Sequence, residues 1–219
     1  MLPTRELETS HGHPESLVAG IDEVGLAPLA GPVVACAIVM PPGETIDDVR
    51  DSKALSRRQR ERLEPIIRRA ALAYGIGAAS AREIERLNPR AASHLAMARA
   101  LAALQRRYRI AVALSLVDGS PAQDLEALIG PHRTVVRGDA SVYPIACASI
   151  VAKVLRDRLM ERLAVRYPGY GWETNAGYPA AAHVAALMRL GVTPHHRRSY
   201  APVKDAVRER GGELRSSNA

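Results

Sequence analysis

Asp22 and Glu23 stand side by side at the end of the apolar run Leu17-Val18-Ala19-Gly20-Ile21, and the small-residue stretch Val24 to Pro32 follows at once. Burying ionised acids without partners costs several kcal/mol. No Lys or Arg lies between Glu15 and Met40 to neutralise the pair, so a divalent cation is the simplest partner. Two further acids occupy comparable places: Asp118 closes the apolar run Ile110 to Val117, and Asp139 follows Val135-Val136 and Arg137-Gly138. Four carboxylates suit Mg²⁺ or Mn²⁺, hard ions that take oxygen donors, whereas zinc would look for His and Cys. Two such ions about 3.5 to 4 Å apart clamp both the attacking and the leaving oxygen of a phosphodiester. Neighbouring residues of a regular strand face opposite sides, so Asp22 and Glu23 share one site only if the strand ends or bulges there; Gly25 offers a local break. A lone Asp after a strand is most often a turn former or a helix cap. It is the joint placement of four acids that points to a metal centre.

The elements that must carry these acids follow from the pattern. Leu17 to Asp22 and Pro32 to Met40 read as an antiparallel pair of strands, Ala71 to Ala79 as a third, and Ile110 to Val117 as a central, parallel-type strand. Val135-Val136 is a short extended segment. A capping box, Ser56 with Gln59, opens a helix that Pro65 is expected to stop or kink, and a second, Ser80 with Glu83, opens a short helix through Leu87. Asn88-Pro89 starts the next, with Ala92, Leu95, Ala96, Leu101 and Leu104 at helical spacing. Pro144 to about Arg166 is one long helix: Ile145, Ala148, Ala152, Leu155 and Leu159 form its apolar stripe, with Arg156, Arg158 and Glu161 expected outside. A shorter helix covers Ala181 to Leu190. Strands interleaved with helices predict an α/β fold.

With 219 residues, a net charge of +7 and a pI near 9.8, the chain favours a polyanionic partner, because excess cations concentrate phosphates around it. Only Lys53, Lys153 and Lys204 are lysines, so the positive surface is mostly guanidinium. No apolar run approaches the roughly 20 residues of a membrane-spanning helix. Cys36 and Cys147 lie apart in Ala/Val/Ile-rich segments, as inert core thiols do in a reducing cytoplasm. One domain over residues 17–203 is expected, as a soluble monomer, between a flexible tail, 1–16, and a basic mobile tail, 204–219. His94, His183, His195 and His196 lack metal-ligand spacing, although His196 with Arg197 and Arg198 could neutralise phosphates.

The words around the acids resemble a known family. Gly20-Ile21-Asp22-Glu23-Val24-Gly25, Pro28 to Val34, Asp51-Ser52-Lys53, Val117-Asp118-Gly119, Gly138-Asp139-Ala140, Ala148 to Val154, Asn175 with Gly177-Tyr178-Pro179, and His196 to Ser199 are similar, in order, to the motifs of ribonuclease HII. The resemblance runs from about Leu17 to Val203. It implies a ribonuclease H-like fold, a mixed central sheet flanked by helices with a helical C-terminal segment. It also implies endonucleolytic cleavage of RNA in RNA–DNA hybrids and at ribonucleotides embedded in duplex DNA, leaving 3′-hydroxyl and 5′-phosphate ends. By motif match Asp22, Glu23, Asp118 and Asp139 are the catalytic, metal-binding acids, with Mn²⁺ or Mg²⁺ as cofactor and water as the nucleophile. Lys53 matches a phosphate-contacting lysine and Tyr178 a tyrosine that stacks beside the junction ribose.

Backbone groups of Gly25, Leu26 and Ala27 match a segment that feels the ribose 2′-hydroxyl, but the family usually reads Gly-Arg-Gly there. The arginine is absent, and Ala27 adds a methyl where main chain must approach a sugar. Ala176 likewise replaces a common lysine, and Arg137 another. An alternative reading follows from these departures: a hybrid-binding protein of this fold with relaxed junction selectivity or weak catalysis.

Overall fold

The computed structural model describes residues 2–122 and 124–216, with side chains described as far as residue 209. The strands are β1 (Val18–Val24), β2 (Val33–Val39), β3 (Ala73–Ala79), β4 (Leu114–Asp118) and β5 (His132–Val135). They form a five-stranded sheet in the order β3-β2-β1-β4-β5. β1 runs antiparallel to β2 and parallel to β4, and β4 runs parallel to β5. The sheet is therefore mixed, with β1 at its centre. Short helices α1 (Glu6–Ser10), α3 (Ala81–Leu87), α5 (Glu126–Ile129), α6 (Gly138–Ser141) and α8 (Trp172–Asn175) accompany the longer α2 (Arg57–Ala70), α4 (Pro89–Tyr108), α7 (Tyr143–Arg166), α9 (Ala181–Leu190) and α10 (Ala201–Ser216).

The chain divides into two compact units: one runs up to Val24 and takes in Val34–Ala78 and Ser93–Leu155, and the other takes in Gly25–Val33, Ala79–Ala92 and the chain from Arg156 onward. In the first, all seven residues of β2 are buried, as an inner strand covered on both faces requires. Cys36, Ile38, Met40, Leu63, Ile67, Tyr143, Cys147, Ile150 and Val151 share one hydrophobic core, where both cysteines are free thiols. Helix α7 backs directly onto β1: a Cβ on Gly20 would lie 2.3 Å from the Pro144 carbonyl carbon. The second unit has its own core around Leu29, Met160, Tyr170, Trp172, Leu187 and Val203.

Several expectations change. Pro65 does not stop α2; it sits within the helix on the solvent side, and burial of Leu63 and Ile67 outweighs the one backbone bond it removes. Both capping boxes form as expected. The apolar run from Ile110 becomes strand only at Leu114. Residues 1–16 are polar and aperiodic, yet they carry α1, Thr4 bridges to Val142, and the buried Glu8 is held by Arg5 at 2.6 Å. Residues 204–216 continue α10, and residues 217–219 lie outside the described residues.

Candidate active site

The parallel register of β1 and β4 pairs Ile21 with Val117, and the next residue on each strand is an aspartate, Asp22 and Asp118. The third acid, Asp139, does not close a strand as its sequence context suggests. It lies in α6, the one-turn helix that follows β5. Asp118 builds that turn, because its Oδ1 accepts from the Gly138 N–H at 2.7 Å and the Asp139 N–H at 3.4 Å. Asp22, Asp118 and Asp139 each offer an oxygen within 4.8 Å of the others, and Asp22 and Asp139 are buried.

Glu23 departs from the expectation that the strand breaks beside it. β1 continues regularly through Glu23 to Val24, pairing Glu23 with Ala35, so Glu23 stands outside the triad of mutually close oxygens. It is electrostatically part of the site all the same. Burial first, and then the Asp118 charge, raise its carboxyl to about 7. Asp22 is pushed well up by burial and by the charges of Glu23 and Asp118, and Asp118 is raised by burial and by Asp139. Glu23 Oε2 is buried without a hydrogen-bond partner. Acids crowded in this way favour their neutral forms unless a cation joins them. An all-oxygen donor set with an orphaned carboxylate oxygen fits a hard divalent metal.

Two hydroxyls and one amine complete this cluster. Ser149, on α7, hydrogen-bonds Asp22 and opposes part of its rise. Ser52 Oγ lies 2.8 Å from Ser149 Oγ, and both serines are buried. Lys53 follows Ser52 in a single 3₁₀ turn whose start is capped by Asp51. Its Nζ lies 2.9 Å from Asp139 Oδ2, while its side chain remains 78% exposed. Sequence reasoning did not single out Ser52 or Ser149. The available signal was Ser149 one turn beyond Ile145, a hydroxyl on the apolar stripe of a helix.

Gly25, Leu26, Ala27 and Tyr178 belong to the second unit. Gly25 adopts φ +101°, and a Cβ there would lie 2.2 Å from Arg156 Nε. Leu26 is half-buried and Ala27 exposed. Tyr178 is 37% exposed, with the Arg156 guanidinium 5.9 Å from its ring centroid. Arg156 is not on the outside of α7 as its spacing suggests: it is fully buried and donates to the carbonyls of Pro32, Ala176 and Ala30 at 3.0, 3.0 and 3.2 Å.

His196 and Arg197 are no phosphate neutralisers either, since both are buried. His196 Nδ1 accepts from the Thr193 N–H at 2.9 Å, and its Nε2 lies 3.1 Å from His183 Nε2, which accepts from Trp172 Nε1 at 3.0 Å. Burial pushes His196 down to about 3, so it is neutral near pH 7. Arg198 is exposed, and its N–H binds Glu85.

No helix among the described residues is long and apolar enough to cross a membrane. The family model described as ribonuclease HII matches residues 19–203. A ribonuclease HII of Paracoccus denitrificans is 52% identical over 85% of this chain and 85% of its own length. One of Gluconobacter oxydans is 48% identical over 94% of this chain and 97% of its own. Among solved structures, ribonuclease H2 of Pyrococcus horikoshii superposes with a TM-score of 0.71 at 26% identity, covering 86% of this chain and 96% of that one.

Proposed function

This chain belongs to the ribonuclease HII family, and from that premise we propose that it is a divalent-metal-dependent endonuclease. It cleaves RNA in RNA–DNA hybrids and single ribonucleotides embedded in duplex DNA. The observation that carries the reading is the meeting of Asp22, Asp118 and Asp139 within 4.8 Å, with Asp22 and Asp139 buried, beside a Glu23 oxygen that has no hydrogen-bond partner among the described residues.

Asp22, Asp118, Asp139 and Glu23 would hold Mn²⁺ or Mg²⁺, which supplies charge to activate water and to stabilise the leaving oxygen of a phosphodiester. Water adds to phosphorus, the 3′-oxygen leaves, and the ends are a 3′-hydroxyl and a 5′-phosphate; no protein nucleophile is needed. Asp118 sets the α6 turn that presents Asp139. Ser149 keeps the Asp22 carboxylate oriented. The Lys53 ammonium is hydrogen-bonded to the site through Asp139. Its exposed stem lets it turn to a substrate phosphate once a cation occupies the acids. The main chain of Gly25, Leu26 and Ala27 reads the ribose 2′-hydroxyl, and Tyr178 stacks beside the sugar. The partner is nucleic acid and the enzyme works as a monomer; two buried free thiols suit the cytoplasm.

The test is nicking of a DNA duplex that contains one ribonucleotide, with Mn²⁺ or Mg²⁺. The wild-type protein should cut and Asp118→Asn should not; failure to cut both this substrate and a long hybrid with either metal overturns the reading. A second reading, relaxed junction preference, is favoured by Leu26 and Ala27 in place of Arg and Gly. Leu26→Arg combined with Ala27→Gly should then sharpen the preference for the junction.

A further inference from the structure

Arg197 is fully buried, and every hydrogen of its guanidinium has an acceptor. Nε donates to the Gly31 carbonyl at 3.1 Å. Nη1 donates to the Leu26 carbonyl at 2.6 Å and to Tyr200 Oη at 3.1 Å, and Nη2 to the carbonyls of Gly25 and Gly31 at 2.5 and 2.9 Å. Tyr200 Oη in turn donates to the Leu26 carbonyl at 2.7 Å. Among the described residues no carboxylate shares in this network. A buried cation is costly without an acid, and here it is solvated almost wholly by main-chain carbonyls of one loop.

That arrangement fixes which way the loop's peptide groups point. A trans peptide is planar, so its N–H projects opposite to its C=O. The Gly25 and Leu26 carbonyls converge on one guanidinium, hence the N–H groups of Leu26 and Ala27 both project away from it. Consecutive amides turned the same way form a concave donor site for an electronegative oxygen. Neither N–H bonds to a main-chain acceptor among the described residues, in contrast to the Leu29 and Gly31 N–H groups, which reach the carbonyls of Gly177 and His195. Ala27 is exposed. The φ of +101° at Gly25 is what allows the chain to turn into this arrangement.

We propose that Arg197, assisted by Tyr200, is a positioning residue for substrate selection: by holding the Gly25 and Leu26 carbonyls it aims the Leu26 and Ala27 amides at the ribose 2′-hydroxyl oxygen. The inference rests on the proposed role of this loop in reading the sugar and deepens it. It also accounts for how the segment can work with Leu at position 26. The donors are main-chain groups set from behind by a buried cation, so the side chain at 26 is not required for them.

The test follows the amide ¹H–¹⁵N resonances of Leu26 and Ala27, without added metal, as a duplex with one ribonucleotide or an all-DNA duplex of the same sequence is titrated in. Wild type, Tyr200→Phe and Arg197→Lys are compared, along with the ratio of the two dissociation constants and KM and kcat for nicking. Tyr200→Phe keeps the ring and deletes one hydroxyl, so it remains informative if Arg197→Lys fails to fold. The proposal expects the wild-type amides to shift with the ribonucleotide duplex and not with DNA. It expects Tyr200→Phe to lower the ribonucleotide-to-DNA affinity ratio by about 3- to 10-fold, as loss of one hydrogen bond does, with KM rising more than kcat falls. If the wild-type amides respond but both ratio and response persist in folded variants, Arg197 and Tyr200 do not position the loop, while the loop's own role stands. If the wild-type amides stay silent toward a duplex that the enzyme nicks, the loop reading itself fails and the proposal with it.

Discussion

Replacing Glu23 by glutamine should change how the stability of the metal-free protein depends on pH. The Glu23 carboxyl rises from its ordinary 4.5 to about 7, mainly through burial and then through the Asp118 charge. Below pH 4.5 both folded and unfolded states hold the proton, and the shift has no effect. Between 4.5 and 7 the unfolded state gives up its proton first, so stability falls as pH rises. Above 7 both states are ionised and the penalty is constant. The distance from 4.5 to about 7, at about 1.36 kcal/mol per pH unit, comes to about 3 kcal/mol.

A glutamine side chain does not titrate, so the Glu23→Gln variant escapes this loss. Its amide meets the same buried surroundings that leave Oε2 without a partner, at a cost of about 1–3 kcal/mol that does not vary with pH. The diagnostic quantity is therefore the change in the stability difference, variant minus wild type, across the window. Urea unfolding in EDTA from pH 4.5 to 8.5 should show the variant gaining about 3 kcal/mol on wild type, or about 6–12 °C in thermal midpoint for a chain of this size. Relief of Asp22, which the Glu23 charge also raises, acts in the same direction. A difference that stays flat to within about 0.5 kcal/mol, the scale of an inconsequential surface change, would refute the electrostatic account of the site.

Three other outcomes are expected. Asp118→Asn should abolish nicking and Mn²⁺ binding by titration calorimetry yet keep a native circular dichroism spectrum, because the amide oxygen of the new side chain can still accept from the Gly138 N–H that Asp118 now holds at 2.7 Å. Ser149→Ala, which removes the hydroxyl on Asp22, should weaken Mn²⁺ binding about 10-fold, the lower range for loss of a ligand's supporting bond; unchanged affinity would show that Ser149 only fills space. Gly25→Ala should lower the urea-unfolding free energy by at least about 2 kcal/mol, since φ is +101° and the new Cβ would fall 2.2 Å from Arg156 Nε.

The sequence displayed the acids and most of the elements because those signals are local. An apolar run ending in Asp, a Ser with Gln three residues on, and a Pro after Asn each act within a few residues. Pro65 was misleading since propensity is a weak constraint where the flanking turns are buried. Arg156 and Arg197 were invisible for a related reason. An arginine is read as solvated unless an acid is near in sequence, and these two are solvated by carbonyls 124 to 126 and 166 to 172 residues away for the Pro32, Ala30, Gly31, Leu26 and Gly25 contacts. The Ser52–Ser149 bond spans 97 residues, and no local pattern encodes such a pair.

The different surroundings of Asp22 and Glu23 are a consequence of sheet register. β1 is held in line on one side by β2, through pairs from Gly20–Ile38 to Val24–Val34, and on the other by β4, through pairs from Val18–Leu114 to Ile21–Val117. Most of those pairs are apolar and buried, and a one-residue slip would turn them to the wrong face. Packing of side chains that do no chemistry therefore sets Asp22 and Asp118 each one residue beyond the Ile21–Val117 pair, with Glu23 one residue further along β1. The same packing withholds water from the acids and leaves Asp22, Glu23 and Asp118 all raised above their ordinary values. A core that fixes the positions of these acids so firmly also makes the carboxylates unfavourable as bare anions, and an affinity for a divalent cation would arise from that same frustration.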